Sequence, residues 1–148
     1  MDRLTHGAGG ITHSLLRIAA GLMFILHGAQ KYLGWFGGVD GNGATVEPVS
    51  LFGLAGGLEL IGGTLIIIGL FTRPVGFVLS GMMAVAYFMV HWPQGAWPIE
   101  NRGEPAALFS FIFLFLAFNG AGPLSLDAVR HAEHAEPVDE RERDRRAA

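Results

Sequence analysis

Arg17, His27, Gln30 and Lys31 interrupt an otherwise apolar run, Leu15 to Leu33, LLRIAAGLMFILHGAQKYL. Glu59 stands alone in a second such run, Tyr87 and His91 close a third, and Glu104 precedes a fourth. Imidazole and ammonium groups donate hydrogen bonds, and a carboxylate beside them can accept and pass on a proton. Ionisable groups are costly in hydrocarbon, so those found there face a bundle interior or a cavity, or sit near the interface. On a helix turning about 100° per residue, Arg17, Gly21, Phe24, Gly28 and Lys31 fall within about 40° of one line, with His27 on its flank. The rest of the chain must cover that stripe.

The elements that position these groups follow from composition and length. Of 148 residues, 51 % are hydrophobic and 16 % charged. A soluble domain carries about 25 % charged residues, so the balance points to a membrane protein. The 22 glycines suit close helix approach in a bilayer. A net charge of −3 gives no basic footprint for nucleic acid. With no cysteine, disulfides, thiolate metal sites and dithiol relays are excluded. No cleavable signal sequence is evident, so the first apolar run is expected to target the chain as well as span.

Taken in order, residues 1–14 form a short polar N-terminal segment. Residues 15–127 form a four-span domain with spans at about 15–35, 51–71, 75–92 and 105–122, each long enough for a bilayer at about 1.5 Å per residue. Residues 128–148 form a charged tail, of which Glu140 to Arg146 is a candidate docking segment. The Gly-rich stretch 37–50 and the Pro-containing stretch 93–104 read as loops. The fold class expected is all-α, an integral membrane four-helix bundle. Arg3, Arg17, Arg73, Arg130 and the tail arginines fall on one side, Lys31 and Arg102 on the other. That bias predicts both termini in the cytoplasm. Trp35, Trp92 and Trp97 then share the outer interface, where indole rings prefer to sit.

With this topology His27 lies about 12 Å below the outer end and Glu59 at a similar depth. His27, Lys31, Glu59, Tyr87, His91 and Glu104 can converge in the outer half, while Arg17, Arg73 and Asp127 form an inner-face group. Plainer readings stand beside these. Lys31 and Glu59 can be a structural pair, and the inner charges a fold staple and topology signal. Gly53, Gly56, Gly57, Gly62 and Gly63 can serve helix packing alone. Haem between His27 and His91 is disfavoured because their depths differ, and a metal site of His27, His91 and Glu59 has no spacing signature. Phosphate loops, nucleophile elbows and dinucleotide fingerprints are absent.

The residues Arg17, Gly21, His27-Gly28 with Lys31, then Gly56, Glu59, Gly62-Gly63, Gly69-Leu70 and Thr72-Arg73 form an ordered pattern. His91, Glu100-Asn101-Arg102-Gly103-Glu104, and Gly120, Gly122, Ser125 and Asp127 complete it. The chain resembles the DoxX family of small bacterial membrane proteins over about residues 15–127. The loop reads NRGE where that family often shows an NGGE-like run. The resemblance implies a four-helix inner-membrane protein. Relatives include a membrane subunit of a thiosulfate:quinone oxidoreductase and members linked to oxidoreductase complexes handling thiol and oxidative stress. No catalytic residue set carries over.

Two functions from different classes are expected. One is a quinone-associated membrane subunit of an oxidoreductase complex. His27 and Lys31 would be donors to the quinone, Glu59 or Glu104 the proton carrier, and a partner subunit the source of electrons. The other is a non-enzymatic scaffold or small-solute or lipid carrier, with the charges as structural pairs. A proton or ion pathway from the outer cluster to Arg17 is a third. Membrane lipid is the expected surrounding, and monomer and homo-oligomer both stay open.

Overall fold

The computed structural model describes residues 2–135, and side chains from 7 to 132. Helix α1 runs Asp2–Leu33, α2 Leu51–Ile68, α3 Thr72–Ala86, α4 Pro98–Asn101, α5 Glu104–Asn119 and α6 Leu126–Ala135. Beyond Ala86 the helical path of α3 continues through a wide π turn, Tyr87–His91, and a tight turn, Trp92–Gln94. No strand occurs among the described residues; one isolated bridge joins Gly38 and Ala44.

Among the described residues, three helical stretches are long and apolar enough to cross a membrane: Gly7–Leu33, Leu51–Ile68 and Thr72–Gln94. α5 is apolar but has 16 residues, so it spans about 24 Å against a hydrocarbon core of about 30 Å. The N-terminal stretch read as a separate polar segment is instead the first part of α1, continuous from Asp2. The start of the charged tail is likewise helical, as α6, and Glu140 to Arg146 lie outside the described residues.

α1 lies antiparallel on α2, and α3 on α5. The first contact is set by glycines two turns apart on each helix. A Cβ at Gly21 would come 2.9 Å from the carbonyl oxygen of Gly63, and one at Gly28 would come 2.9 Å from that of Gly56. Backbone thus meets backbone, as small residues permit in membrane bundles. Gly62 faces the other way, against Leu79 of α3. Gly76 lets α3 approach the Phe113 carbonyl and Ala117 of α5. Between the two pairs lies a core of Phe24, Ile66, Leu79, Phe113 and Leu116, all buried. Phe24 meets Phe113 edge-on with centroids 4.7 Å apart. The aromatic run of α5 divides by face: Phe109 and Phe113 are buried, whereas Phe111 and Phe118 are exposed.

The helix ends are closed locally. Ser50 caps α2, its hydroxyl accepting from the Gly53 amide at 3.0 Å. Gly69, at φ 67°, ends the same helix, with its own amide bonded to the Ile66 carbonyl and the Leu70 amide to that of Leu65. That left-handed position suits glycine and forms a Schellman ending. The 34–50 loop folds back over α1: Gln30 donates to the Gly38 carbonyl at 2.9 Å, and the Val46 amide to that of Lys31 at 2.9 Å.

Replacing Gly28 by Leu should destabilise the fold by about 1–3 kcal/mol or more, the cost of overpacking, because backbone of α2 blocks the new side chain. Gly81→Ala is the contrast. Nothing lies within 4 Å of its Cβ position, so it should be neutral or stabilising by about 0.5–1 kcal/mol. Thermal unfolding of both variants in mild detergent checks the pair.

Candidate functional site

Lys31 and Glu59 meet where α1 crosses α2. The Lys31 ammonium donates to both carboxylate oxygens of Glu59, at 2.7 and 2.6 Å. Glu59 is 3 % exposed. A Cβ at Gly56 would touch Tyr32 and the Lys31 Cβ, so the absence of a side chain there seats the Lys31 stem against α2. Tyr32 donates to the Gly53 carbonyl at 2.9 Å and steadies the same crossing.

Above this pair a cavity of about 360 Å³ opens, within the range of small-molecule sites. His27, Lys31, Glu59 and His91 line it. So does Arg102, which the sequence offers as an outer-side charge and as part of the family-like loop but not as a member of the cluster. Phe24 and Phe109 bound it on the core side, with Met82, Met83 and Met89 from α3 and its extension. The rim residues Leu51, Phe52, Val85 and Met89 are exposed, so the mouth opens on the apolar flank of the bundle between α2 and α3.

His27 presents its imidazole to this space. Its ring stands edge-on to Phe109 with centroids 6.3 Å apart. Among the described residues no hydrogen bond reaches its ring nitrogens. His91 is held: its Nδ1 lies 3.0 Å from the Asn101 carbonyl. A carbonyl only accepts, so Nδ1 carries the proton and Nε2 is left for other partners. The π turn sets this arrangement, as such insertions often do at functional sites.

Tyr87 and Glu104 are not brought to the cavity. Tyr87 instead stacks beside His91 with centroids 6.4 Å apart. Its phenol oxygen lies 3.4 Å from the Asn101 amide nitrogen. Asn101 is buried and bonds Gly95 at 2.8 Å and Gly103 at 2.8 Å. The pair braces the turn that presents Arg102. Glu104 is exposed at the start of α5, where its charge complements the helix N-terminus. Among the described residues no three of His, Asp and Glu gather as a metal-binding set.

At the other end, Arg17, Arg73 and Asp127 each close the end of a different helix. Arg17 is fully buried. Its guanidinium bonds the Ile66 carbonyl, that of Ile67 at 2.5 Å, Ala121 at 2.8 Å and Leu124 at 2.5 Å. It thus balances the partial negative charge at the C-terminus of α2. Arg73 donates to the Phe118 carbonyl at 2.6 Å, at the end of α5. Asp127 accepts from the Phe71 and Thr72 amides, each at 2.9 Å, at the start of α3. Burial works against ionisation of Asp127, but those amides and nearby Arg130 hold its carboxyl below the usual carboxylate range. His13 and Ser14 join the same end. His13 Nε2 donates to the Gly120 carbonyl at 2.9 Å, and the Ser14 hydroxyl accepts from Leu124 at 3.3 Å.

The family model for DoxX matches residues 13–92. The chain belongs to the DoxX family. A Haemophilus influenzae protein called "Uncharacterized protein" is 45 % identical over 118 residues, which cover 77 % of this chain and 87 % of that one. A Bacillus subtilis protein named "Putative oxidoreductase CatD" is 31 % identical over 113 residues, 76 % of this chain and 82 % of that one. A second Haemophilus influenzae "Uncharacterized protein" is 28 % identical over 126 residues, 81 % of this chain and 83 % of that one. No solved structure matches the chain significantly. Family membership and the apolar helices make this a membrane protein.

Breaking the buried pair should cost far more than removing it. Lys31→Met and Glu59→Leu should each destabilise by about 3–5 kcal/mol, and the double variant should recover most of that loss. Chemical unfolding of the three variants in detergent reads the coupling.

Asp127→Ala should cost about 0.5–2 kcal/mol, the value of a lost helix cap. The folded carboxyl titrates lower than the unfolded one, so its stabilisation is complete above about pH 4 and is lost as pH falls through the folded value. Below pH 4 the wild-type and variant unfolding temperatures should converge.

Proposed function

We propose that the protein is a quinone-binding membrane subunit of an oxidoreductase complex, with the cavity over Lys31 and Glu59 as its quinone site. One observation carries this reading: an apolar cavity that opens on the bundle flank has a polar cluster in its lining, with Glu59 buried against Lys31 and His27, His91 and Arg102 around them. A lipid-soluble ring with two carbonyls matches that distribution. The ring would lie among Phe24, Phe109 and the methionines, while His27, His91 and Arg102 offer donors. The quinone itself would supply the two-electron chemistry when bound.

The chain's own residues would bind, orient and handle protons. The Lys31 ammonium holds both Glu59 oxygens, so a change of charge beside it would shift which group keeps the proton. His27, with no hydrogen bond of its own among the described residues, is placed to exchange a proton with the cavity. With no cysteine in its 148 residues, the chain offers no dithiol, and electrons would come from a partner subunit. The name of the Bacillus subtilis relative agrees with that setting.

In this reading α5 completes a four-span bundle in the bacterial inner membrane, with residues 15–127 as the membrane domain. Both termini face the cytoplasm, in keeping with the arginines near the Arg17 end and the exposed Trp35, Trp92 and Trp97 at the other. A scaffold reading has its own support, since the Glu59 oxygens are already satisfied by Lys31 and the glycines pack helices.

A photoreactive quinone separates the two. Wild-type protein in liposomes should be labelled on residues lining the cavity, and Ala55→Phe, which fills the mouth, should abolish labelling while leaving the unfolding temperature within a few degrees. Labelling that is scattered over the bundle surface, or equal in the filled variant, favours the scaffold.

A further inference from the structure

A second cavity, of about 650 Å³, lies at the opposite end of the molecule. Phe71, Arg73, Pro74, Asn119, Arg130 and His131 are among its walls. Basic side chains dominate its charge. Asp127 also borders it, but both its oxygens are turned to the amides of Phe71 and Thr72. The Arg130 guanidinium lies 4.9 Å from the centroid of the exposed Phe71 ring, so a cation sits directly on an apolar surface.

α6 supplies the second observation. Its Leu126 and Val129 are 46 % and 54 % exposed, a turn apart on one face, and Arg130 follows immediately. An apolar stripe edged by arginine is the pattern of a helix lying in a membrane interface. The apolar helices α2 and α3 meet at this end, between Ile68 and Thr72. With α2 and α3 across a bilayer, Leu126, Val129 and Phe71 would sit at the level where hydrocarbon gives way to headgroups. Arginine is the residue best suited to bind phosphate there, because its planar fork matches the oxygens.

We propose that this cavity is a binding site for an anionic phospholipid, with the phosphodiester held by Arg73, Arg130 and His131 and the acyl chains laid along Phe71 and the exposed face of α6. The phosphate oxygens match the guanidinium forks, and the acyl chains cover the apolar face, which a free phosphate cannot do. Arg73 then links the lipid to the end of α5 through its bond to Phe118. Lipid binding would stiffen the junction of α3, α5 and α6.

The test uses the full chain in neutral detergent with phosphatidylglycerol, phosphatidylcholine or inorganic phosphate added. Native mass spectrometry should show one tightly retained phosphatidylglycerol per chain, with phosphatidylcholine weaker. Arg130→Gln should lower phosphatidylglycerol affinity about fivefold, as one arginine near an anionic surface contributes about 1 kcal/mol. Millimolar inorganic phosphate should not displace the lipid. A diazirine-bearing phosphatidylglycerol, which needs no variant, should crosslink to Phe71–Pro74 and Ala128–His131. Equal retention of the two lipids, unchanged affinity in Arg130→Gln, displacement by inorganic phosphate, or crosslinks confined to the opposite end would each overturn the proposal.

Discussion

A carboxylate inside a bundle of apolar helices needs a cation against it, because no water is at hand to solvate it. The contact between Lys31 and Glu59 meets that need, and much of the structure can be understood as making it fit. The two side chains come from different helices, so the helices must cross closely. They do so because Gly21 and Gly28 face Gly63 and Gly56 with no side chain between. The cost of burying charge and the use of glycine are thus two sides of one requirement.

The same rule governs the opposite end by other means. Arg17 is buried without a carboxylate in hydrogen-bond contact, and carbonyl oxygens at the end of α2 and in the 121–124 turn surround it instead. These carbonyls lie at a helix terminus or turn, where intrahelical donors run out, although that of Ile66 also accepts from the Gly69 amide. Arg73 and Asp127 serve α5 and α3 in the same way. That end is fastened by backbone-directed bonds around its own cavity. The other end carries the side-chain pair, with the cavity of about 360 Å³ beside it.

Much of this arrangement was legible in the residues. Span length and apolar content located three of the long helices, and counting residues from the loops set His27 and Glu59 at a similar depth, with Lys31 close enough to pair with Glu59. Other features depended on geometry that spacing does not carry. Tyr87 lies one turn from His91 and looks equivalent to it, but the π turn that begins there sends its ring toward Asn101. Arg102 reads as a loop charge, yet its left-handed backbone at φ 56° turns the chain so that it reaches the cavity. Residues 2–14 read as a polar segment apart from the first span, but α1 runs through them and places His13 and Ser14 against Gly120 and Leu124. The stripe through Arg17, Gly21, Phe24, Gly28 and Lys31 was visible as a stripe. Which neighbour each member would meet was not, since one face of α1 touches both α2 and α5.

A quinone in the space over Lys31 and Glu59 is what would set a redox subunit apart from a scaffold. The direct measurement is the small-molecule content of the protein purified from its native membranes in mild detergent, by ultraviolet–visible spectroscopy and native mass spectrometry. A single prenylated quinone held by each chain, and released when the Lys31 to Glu59 contact is broken, is the expected result. Chains that carry only phospholipid, or that hold quinone equally well without that contact, would contradict it.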